Sequence, residues 1–595
     1  MPTGIGAGNA KELGRHFALI GVLLALTFAA SLDHEFVNWD DDYYLHRNSR
    51  VKELSLGHVL SLFNPNSIHE GKTFIEFLPL RDLTWAIDFA AWAYNPVGYH
   101  LGNVVLHYLT CLALYLLVVV AFSSRRQALL AAMLFAVLPC HVESVAWIAC
   151  RKDPLFLFLE LLSMVALLQY LDGASRSRLW LSALFLALSL WSKSLALTMP
   201  ALAVLLLLAA RPALPWRRYL ALLPHLVVVV IFAHQFLGTG VAKDLVQPDY
   251  GGLRALPKVF LAYLQVQILP FPLCQRYDLA IPPGWLQLEV LLPAAILLVL
   301  VLLTVKVRLA HFALAWTFVA LVPVLNFVPF PILMAERYLY LPSVGPVLFA
   351  SWWLAKRPPA FSAIIFLVFA GLSASHAEVF QNSITLWSDV LSKYPRLGVA
   401  HANLTSALFE RGQEREALAA ATAGLEVEPD NAMLHLVLGH HHRRAGRYDQ
   451  ALASYERAGH AQQLASKLHA GRGTTFLLQG RLTEAREALL SALSTPSHDH
   501  YRADPTTYHN LALVEVRLGH REGFKRAVTG LLETLDFSRP EQVIEAAHLL
   551  AATGRATEGL ALLERGRTAF SDLRYDEALV LFRNRLGLDP QDQRP

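Results

Sequence analysis

The sequence predicts an all-α protein in which a polytopic membrane domain of about eleven transmembrane helices precedes an α-solenoid. The chain of 595 residues is 55% hydrophobic and only 16% charged, and its polar helical segments lie in the C-terminal third. Soluble domains average about 25% charged residues, so the composition excludes an ordinary soluble protein and a disordered one. A net charge of +4 argues against nucleic-acid binding, and four cysteines exclude a disulfide scaffold.

Apolar segments long enough to span a bilayer define the membrane domain. A spanning helix needs roughly 20 mainly apolar residues. We assign spans to 16–32, 99–122, 127–146, 153–171, 178–192, 194–210, 218–237, 286–305, 309–328, 338–354 and 360–376. The apolar segment 255–272 contains three prolines and Lys258, so we interpret it as an interfacial or re-entrant helix. These assignments predict a membrane domain over 1–377, with a first outside loop at about 33–98.

The positive charges predict the orientation of this domain. Arg and Lys residues follow every second span, and all of them fall on the same side as Lys11 and Arg15. By the positive-inside rule the N-terminus is cytoplasmic, and everything after about 377 lies outside. We therefore expect an integral protein of a bacterial inner membrane with a periplasmic C-terminal part. The first span is interpreted as an uncleaved anchor rather than a signal peptide.

The C-terminal part, 378–595, contains an internal repeat. Small residues recur every 34 positions, at Gly412, Gly446 and Gly480 and at Ala417, Ala451 and Ala485. A period of 34 is typical of tetratricopeptide repeats, in which the glycine closes the first helix of each pair. Gly519 and Gly554 indicate further, degenerate copies. Such solenoids present a groove for peptides or partner helices; the alternative is a rigid spacer or a dimerisation surface.

An acidic cluster follows the first span directly. The string "FVNWDDDYYL" contains Asp40, Asp41 and Asp42, framed by Trp39 and Tyr43. Neighbouring carboxylates in a partly dry setting repel each other, and one of them can keep a raised pKa and act as a general base. Asp40 and Asp41 are the candidates, and an Asn substitution in this loop is expected to leave the fold intact. The alternative is a solvated turn.

Further polar side chains lie in the other outside connections or near them. The candidates for binding donor phosphate or substrate are Arg81, His100, Asn103, His107, His141, Glu143, Arg151, Lys152, Asp153, Lys193, Glu336, Arg337 and Tyr338. Polar groups near a bilayer are costly and usually face a cavity, and cations suit a phosphate. No nucleotide-binding glycine motif and no metal-ligand spacing occurs in the sequence. This favours a lipid-phosphate-linked donor; the alternative is interfacial anchoring with structural ion pairs.

The strings "FVNWDDDYYL", "HVESVAWIACRKD" and "AERYLYLPSVG", followed by the repeats, resemble the transmembrane and tetratricopeptide-repeat O-mannosyltransferases and their bacterial relatives, which are GT-C glycosyltransferases. The resemblance implies inverting transfer of a sugar from a polyprenyl-phosphate donor to an acceptor hydroxyl, with an Asp of the first outside loop, here Asp40 or Asp41, as the base. Beyond what the resemblance implies, we take mannose as the candidate sugar and a Ser/Thr of an exported protein as the acceptor, and we expect the groove of the repeats to recruit that acceptor.

No cofactor is required by this reaction, although three adjacent carboxylates leave room for a divalent cation. Two alternative functions stay open at this stage. One is a glycan ligase of the O-antigen type, which would place its key basic residues in a large late loop. The other is a non-catalytic membrane anchor that displays a tetratricopeptide scaffold.

Overall fold

The computed structural model describes residues 7–46, 48–64, 77–238, 251–327, 332–495, 504–537, 539–569 and 573–585. These residues form helices and connecting loops without a β-strand, which confirms the all-α class. The chain divides into two compact units. The first contains most residues up to Pro395, and the second contains the residues from Arg396 onward.

The first unit contains sixteen α-helices within the described residues. They are α1 (Ala7–Phe28), α2 (Leu56–Leu62), α3 (Pro79–Trp92), α4 (Pro96–Phe122), α5 (Arg125–Ala136), α6 (Val142–Ala146), α7 (Lys152–Leu171), α8 (Arg176–Leu190), α9 (Met199–Ala210), α10 (Leu223–Gly238), α11 (Gly251–Ile268), α12 (Leu288–Thr304), α13 (Arg308–Leu321), α14 (Val344–Leu354), α15 (Pro359–Ala377) and α16 (Ser383–Lys393). A π-helical turn, Asp42–His46, and short 3₁₀ turns connect several of them.

Several of these helices are long and apolar enough to cross a membrane. Five described helical segments meet this requirement. A sixth does so if α5 and the helical segment Pro139–Ala146, which includes α6, form one span that is bent by 59°. Four of the other predicted spans correspond to shorter apolar helices. The membrane character of this unit is therefore confirmed, whereas the count of eleven spans is not. Position 328 of one predicted span, and 65–76 of the first loop, lie outside the described residues.

The second unit is a row of antiparallel helix pairs. Its α-helices are α17 (Gly398–Glu410), α18 (Glu414–Val427), α19 (Ala432–Arg444), α20 (Tyr448–Arg457), α21 (Ala465–Leu478), α22 (Leu482–Ser494), α23 (Pro505–Leu518), α24 (Arg521–Thr534), α25 (Pro540–Ala552), α26 (Ala556–Ala569) and α27 (Leu573–Arg585). The repeat alanines Ala417, Ala451 and Ala485 are fully buried. They allow the two helices of each pair to approach closely, as the period predicted.

The repeat glycines end the first helix of each pair in the same way. Gly412, Gly446, Gly480, Gly519 and Gly554 all have positive φ, between 72° and 81°. In the third pair the N–H of Arg481 donates to the carbonyl of Phe476 at 2.9 Å, which closes a Schellman motif around Gly480. The same bond recurs in the other four pairs. The two degenerate copies predicted at Gly519 and Gly554 are therefore true helix pairs.

Candidate functional site

The carboxylate of Asp41 is an anchor of the acidic loop. Its side chain is 1% exposed. Oδ2 accepts the backbone N–H of Val37 at 3.0 Å, and Oδ1 accepts the backbone N–H of Ala149 at 2.9 Å. Burial raises the pKa of Asp41 to about 7, although these two N–H groups act in the opposite direction. Both oxygens are thus occupied by the protein's own backbone.

Asp40 and Asp42 have different surroundings from Asp41. Asp40 is only partly buried and stands within electrostatic reach of Arg337. Burial lowers the pKa of Arg337, but the charges of Glu143, Tyr338 and, more weakly, Asp40 raise it well above its ordinary value. Asp42 pairs instead with His46 at 3.4 Å, and 38% of its side chain is exposed. The three carboxylates look equivalent in the sequence, but the structure gives each of them different surroundings.

Helix α16 holds the acidic loop from its other side. The indole of Trp387 stacks on that of Trp39, with ring centroids 4.5 Å apart and planes within 8° of parallel. Trp387 Nε1 donates to Asn38 Oδ1 at 2.8 Å, and the backbone N–H of Asn38 donates to Ser383 Oγ at 2.8 Å. The sequence-based boundary at 377 placed α16 with the repeats, but the structure groups it with the first unit.

Arg337 is positioned by Glu143 and by two aromatic rings. Its backbone N–H donates to Glu143 Oε2 at 2.7 Å, and its Nη1 pairs with Glu143 Oε1. The guanidinium carbon lies 5.6 Å from the centroid of Trp147 and 5.1 Å from that of Tyr338. Trp147 also packs against Trp39, with centroids 6.2 Å apart. One tryptophan thus links the acidic loop to the guanidinium.

Glu336, the neighbour of Arg337, fixes a second loop beside it. Glu336 Oε1 accepts the backbone N–H of Cys274 at 2.5 Å and the hydroxyl of Tyr277 at 2.9 Å, and Oε2 pairs with His376 at 3.2 Å. Because both oxygens are engaged in this way, Glu336 acts as a clamp on the loop around Cys274 rather than as a substrate ligand.

The clamped loop contains Arg276, which the sequence-based candidates did not include. Its side chain is partly buried, and Nε has no hydrogen-bond partner among the described residues. Burial and the charge of Arg337 lower the pKa of Arg276. Arg276 therefore lies within electrostatic reach of Arg337. The sequence could have indicated Arg276 by its position, because it is a cation in the loop that follows the apolar segment 255–272.

Tyr44, which follows the three aspartates of the acidic motif, lies close to two cations. The guanidinium of Arg81 lies 4.6 Å from the ring centroid of Tyr44 and 4.8 Å from that of Trp85. The ammonium of Lys152 lies 5.5 Å from Tyr44. Arg81 is fully buried and bonds Asp82 through Nε at 3.0 Å and Nη2 at 2.8 Å. Lys152 remains partly accessible and is the better placed of the two to meet a ligand.

Two other predicted cations are engaged inside the protein. Arg151 is 1% exposed; its Nε donates to Asn103 Oδ1 at 2.8 Å, its Nη2 to the carbonyl of Tyr99 at 2.5 Å, and its Nη1 pairs with Asp88. This network ties α3, α4 and the turn before α7 together. The structure therefore gives Arg151 and Asn103 a scaffolding position rather than a phosphate-binding one.

Lys193 pairs with Asp153 and lies 5.8 Å from the ring centroid of Tyr338. Since Tyr338 also touches Arg337, the predicted residues Tyr338, Lys193 and Asp153 stand at the edge of the same cationic group. The other oxygen of Asp153, Oδ2, is buried without a partner among the described residues.

The predicted histidines belong to the helix packing. His107 bonds the hydroxyl of Tyr340 at 2.6 Å, and His141 bonds Ser343 Oγ at 2.8 Å. Both rings are fully buried and use their second nitrogen on a backbone carbonyl. His100 is buried beside His34, with ring centroids 5.9 Å apart. The structure does not bring these histidines to the acidic loop as a set.

In the part of the chain that the structure describes, no group of three or more His, Cys, Asp or Glu side chains could hold a metal ion. The three aspartates do not converge as a ligand set, because Asp41 is occupied by backbone N–H groups and Asp42 by His46. Cys140 and Cys150 flank helix α6, and both are buried free cysteines.

Comparisons with known proteins agree with the two-part organisation. A tetratricopeptide-repeat family model matches residues 404–458 and 436–505. The chain is 33% identical over 159 residues to the human protein O-mannosyl-transferase TMTC1, covering 26% of this chain and 18% of that protein. It is 23% identical over 451 residues to the protein O-mannosyl-transferase F38B6.6 of Caenorhabditis elegans, covering 69% of this chain and 63% of that protein.

A third relative, the human protein O-mannosyl-transferase TMTC4, is 28% identical over 191 residues, which cover 27% of this chain and 25% of the relative. These relatives confirm the resemblance that the motifs predicted. The matches cover less than two thirds of each relative's own length.

Proposed function

We propose that this protein is an inverting membrane glycosyltransferase that moves a sugar, with mannose favoured, from a polyprenyl-phosphate donor to a protein hydroxyl. Asp40 is the general base. The observation that carries the proposal is the division of labour in the acidic loop: Asp41 anchors the loop through two backbone N–H groups, and Asp40 stays accessible near Arg337. The mannose and the hydroxyl acceptor are supported by the names of the curated relatives.

The reaction follows from this arrangement. Asp40 takes the proton of the acceptor hydroxyl as its oxygen attacks the anomeric carbon from the face opposite the phosphate. The new carbon–oxygen bond forms while the bond between the anomeric carbon and the phosphate oxygen breaks. The electron pair leaves with the lipid phosphate, and the sugar is transferred with inversion. The proton remains on the Asp40 carboxyl until solvent removes it.

The leaving phosphate needs positive charge where its charge grows. Arg337, Arg276 and Lys152 are the groups proposed for this role: Arg276 and Lys152 are partly accessible, and Arg337, 8% exposed, lies within electrostatic reach of Asp40 and Arg276. Arg337 is pre-oriented by Glu143, and Arg276 by the Glu336 clamp on its loop. Such pre-oriented donors need no reorganisation at the moment of bond breaking.

The proposed location is a bacterial inner membrane, with the acidic loop and the repeats on the periplasmic side. The one-sided distribution of Arg and Lys in the short loops supports it. A reporter that is active only outside the cytoplasm should be active when fused at Gly398. Cytoplasmic activity of the fusion would reverse the orientation and remove the periplasmic assignment.

The decisive experiment is sugar transfer by the purified full-length protein from a short-chain polyprenyl-phosphate mannose to a Ser/Thr-containing peptide. Asp40→Asn should lower the rate by about 10²–10⁴, the usual contribution of a general base. Asp42→Asn is the matched control, because it removes a neighbouring carboxylate that faces solvent and His46, and it should keep most of the rate.

The outcomes also separate the alternatives. Equal rates for wild type and Asp40→Asn would remove the base from this loop. No transfer by the wild type with any polyprenyl-phosphate monosaccharide would favour a membrane-anchored scaffold. Transfer only from a lipid diphosphate-linked glycan would favour a glycan ligase.

A further inference from the structure

Three cationic side chains of the first unit meet where α5 and α15 begin and α14 ends. Arg126 lies in the first turn of α5, and Lys356 and Arg357 lie in the turn that connects α14 to α15. Nη2 of Arg126 donates to the backbone carbonyl of Arg357 at 2.8 Å. In the next turn Gln127 Nε2 donates to the carbonyl of Leu348 at 3.3 Å. Hydrogen bonds therefore hold the start of α5 against the end of α14, although the two segments are distant in the chain.

The charge of these three side chains is not neutralised by the protein. The adjacent residue Arg125 pairs with Glu12 of α1 at 2.6 Å. In contrast, Arg126, Lys356 and Arg357 form no ion pair with a carboxylate of the described residues, and all three are exposed. Arg126 spends one of its five N–H donors on the carbonyl of Arg357. Positive charge and hydrogen-bond donors are therefore available here to an anion.

Two of these cations lie over tryptophan rings in the last turn of α14. The ammonium of Lys356 is 3.3 Å from the ring centroid of Trp352, and the guanidinium carbon of Arg357 is 4.5 Å from that of Trp353. A cation that lies over a ring face keeps N–H donors for a second partner. Tryptophan and basic residues at the ends of apolar helices are typical of the headgroup level of a bilayer. The rings therefore position the cations where a membrane presents its phosphates.

An exposed apolar stripe begins beside these rings and runs along α15. Trp353 packs edge-on against Phe361, with ring centroids 5.7 Å apart. Phe361, Ile364 and Val368 lie on one face of α15 by their spacing of three and four, and they are 43%, 61% and 52% exposed. The segment that contains α15 is long and apolar enough to cross a membrane. A surface of this kind suits acyl chains, and it starts at the ring that Arg357 covers.

We propose that Arg126, Lys356 and Arg357 bind the phosphodiester of an anionic phospholipid whose acyl chains lie along the stripe of α15. Charge complementarity selects an anion, and the adjoining stripe selects an anion that carries acyl chains. A free phosphate or an acidic peptide would meet the cations but leave the stripe uncovered. The bound lipid joins α5 to the turn between α14 and α15. This inference rests neither on sugar transfer nor on the orientation of the chain in the membrane.

The test is titration of the purified full-length protein in neutral detergent with dioleoyl-phosphatidylglycerol, with bound lipid counted by native mass spectrometry. Dioleoyl-phosphatidylcholine has the same acyl chains and phosphodiester but no net charge. Glycerol 3-phosphate has the anion without the chains. These two probes separate the contribution of the charge from that of the stripe.

The main variant is Arg126→Gln with Arg357→Gln. Its matched control is Arg176→Gln with Arg178→Gln, which removes two arginines from the first turn of a single helix, α8. Lys356→Gln is a further variant, because the ammonium makes no hydrogen bond to the described residues and its loss leaves the packing of α5 on α14 intact.

We expect phosphatidylglycerol to bind the wild type in a saturable way and more tightly than either probe. The Arg126/Arg357 variant should lose about 25-fold in affinity, or about fivefold for each cation removed, which is the usual effect of one Arg or Lys beside an anionic lipid. Lys356→Gln should lose about fivefold. The Arg176/Arg178 variant should change affinity by less than about twofold, because its charges lie at another helix end and are screened.

Equal losses in the Arg126/Arg357 and Arg176/Arg178 variants would overturn the proposal, since they would show attraction to surface charge in general. Equal affinity for phosphatidylcholine would overturn the role of the cations. Displacement of phosphatidylglycerol by an equal concentration of glycerol 3-phosphate would overturn the role of the stripe. Because lipid binding is measured without sugar transfer, none of these results changes the role proposed for Asp40.

Discussion

The carboxylate of Asp41 accepts a hydrogen bond from the backbone N–H of Ala149, 108 positions further along the chain, at 2.9 Å. This bond joins the loop after the first span to the turn that precedes α7. The second oxygen of Asp41 holds Val37 of its own loop. The fold therefore fixes the backbone of the acidic motif, and Asp40 is presented from a rigid base.

Replacing Asp41 by Asn should destabilise the first unit. An amide has one acceptor oxygen, so its NH₂ group would face one of the two backbone N–H donors. A buried group left unpaired costs about 1–3 kcal/mol. Asp40→Asn, on a partly exposed side chain, should unfold near the wild-type temperature. Thermal unfolding of both purified variants measures the difference, and equal midpoints would contradict the anchoring role. This corrects the sequence-based expectation that an Asn substitution is harmless anywhere in the loop.

The same carboxyl should make stability depend on pH. Burial raises the pKa of Asp41 from 3.8 to about 7 on folding, so the folded state binds more protons than the unfolded state between about pH 4 and 7. Stability from this group is full below pH 4 and falls as pH rises to 7, by about 1.4 kcal/mol per unit of pKa shift at most. The loss of stability caused by Asp41→Asn should accordingly be larger at pH 5 than at pH 8. A loss independent of pH would contradict the raised pKa.

Gly102 should tolerate no side chain, because a Cβ there would meet Arg151 Nη2 at 2.5 Å. Gly102→Ala must displace the guanidinium from Asp88, Asn103 and the carbonyl of Tyr99, and overpacking of this kind costs about 1–3 kcal/mol. Gly14→Ala is the control: it lies in α1 with nothing within 4 Å of the added Cβ, so it should be neutral or stabilising. Differential scanning fluorimetry compares the two, and a stable Gly102→Ala would refute the close packing.

Trp387 should affect the reaction although it is placed behind the acidic loop. Trp387→Leu removes the stacking on Trp39 and the bond to Asn38, and misplacing the base by about 1 Å can cost up to about 10² in rate. The loss should appear in kcat more than in KM, and Trp387→Phe should restore part of it. Trp316→Leu, another fully buried tryptophan, is the control and should lower stability while leaving kcat near normal. Equal effects on kcat would make Trp387 merely structural.

Gly480 should be required for its backbone conformation alone. Its φ is +77°, and an added Cβ would touch nothing within 4 Å, so any cost comes from the left-handed conformation. Gly480→Ala should destabilise the third helix pair by about 1–2 kcal/mol, and Gly480→Asn by less, since Asn enters this region more readily. Hydrogen exchange across 465–494 in the full-length protein measures both, and equal protection in the two variants would contradict the assignment.

Regular features of the molecule were readable from the sequence because they depend on local rules. The 34-residue spacing of glycines predicted the helix pairs, because the first helix of each pair ends in the left-handed conformation and glycine adopts it without strain. Apolar segments predicted the membrane helices because a helix satisfies its backbone hydrogen-bonding groups within its own segment. A sufficient length of apolar residues is therefore enough to indicate a helix that lies in lipid. The acidic cluster and its aromatic neighbours were visible as a motif.

The roles within the site were decided by tertiary structure. The sequence treated Asp40 and Asp41 alike, but the fold brings the backbone N–H of Ala149, from a distant turn, to the carboxylate of Asp41. It counted Arg151 among the phosphate ligands, but Asp88 and Asn103 occupy that guanidinium. It passed over Arg276, which gains its place when Glu336 clamps its loop. Local sequence determines where helices begin and end. Which charged side chains of a site can meet a ligand depends on which of them pair with distant residues, and that pairing is decided only when the chain folds.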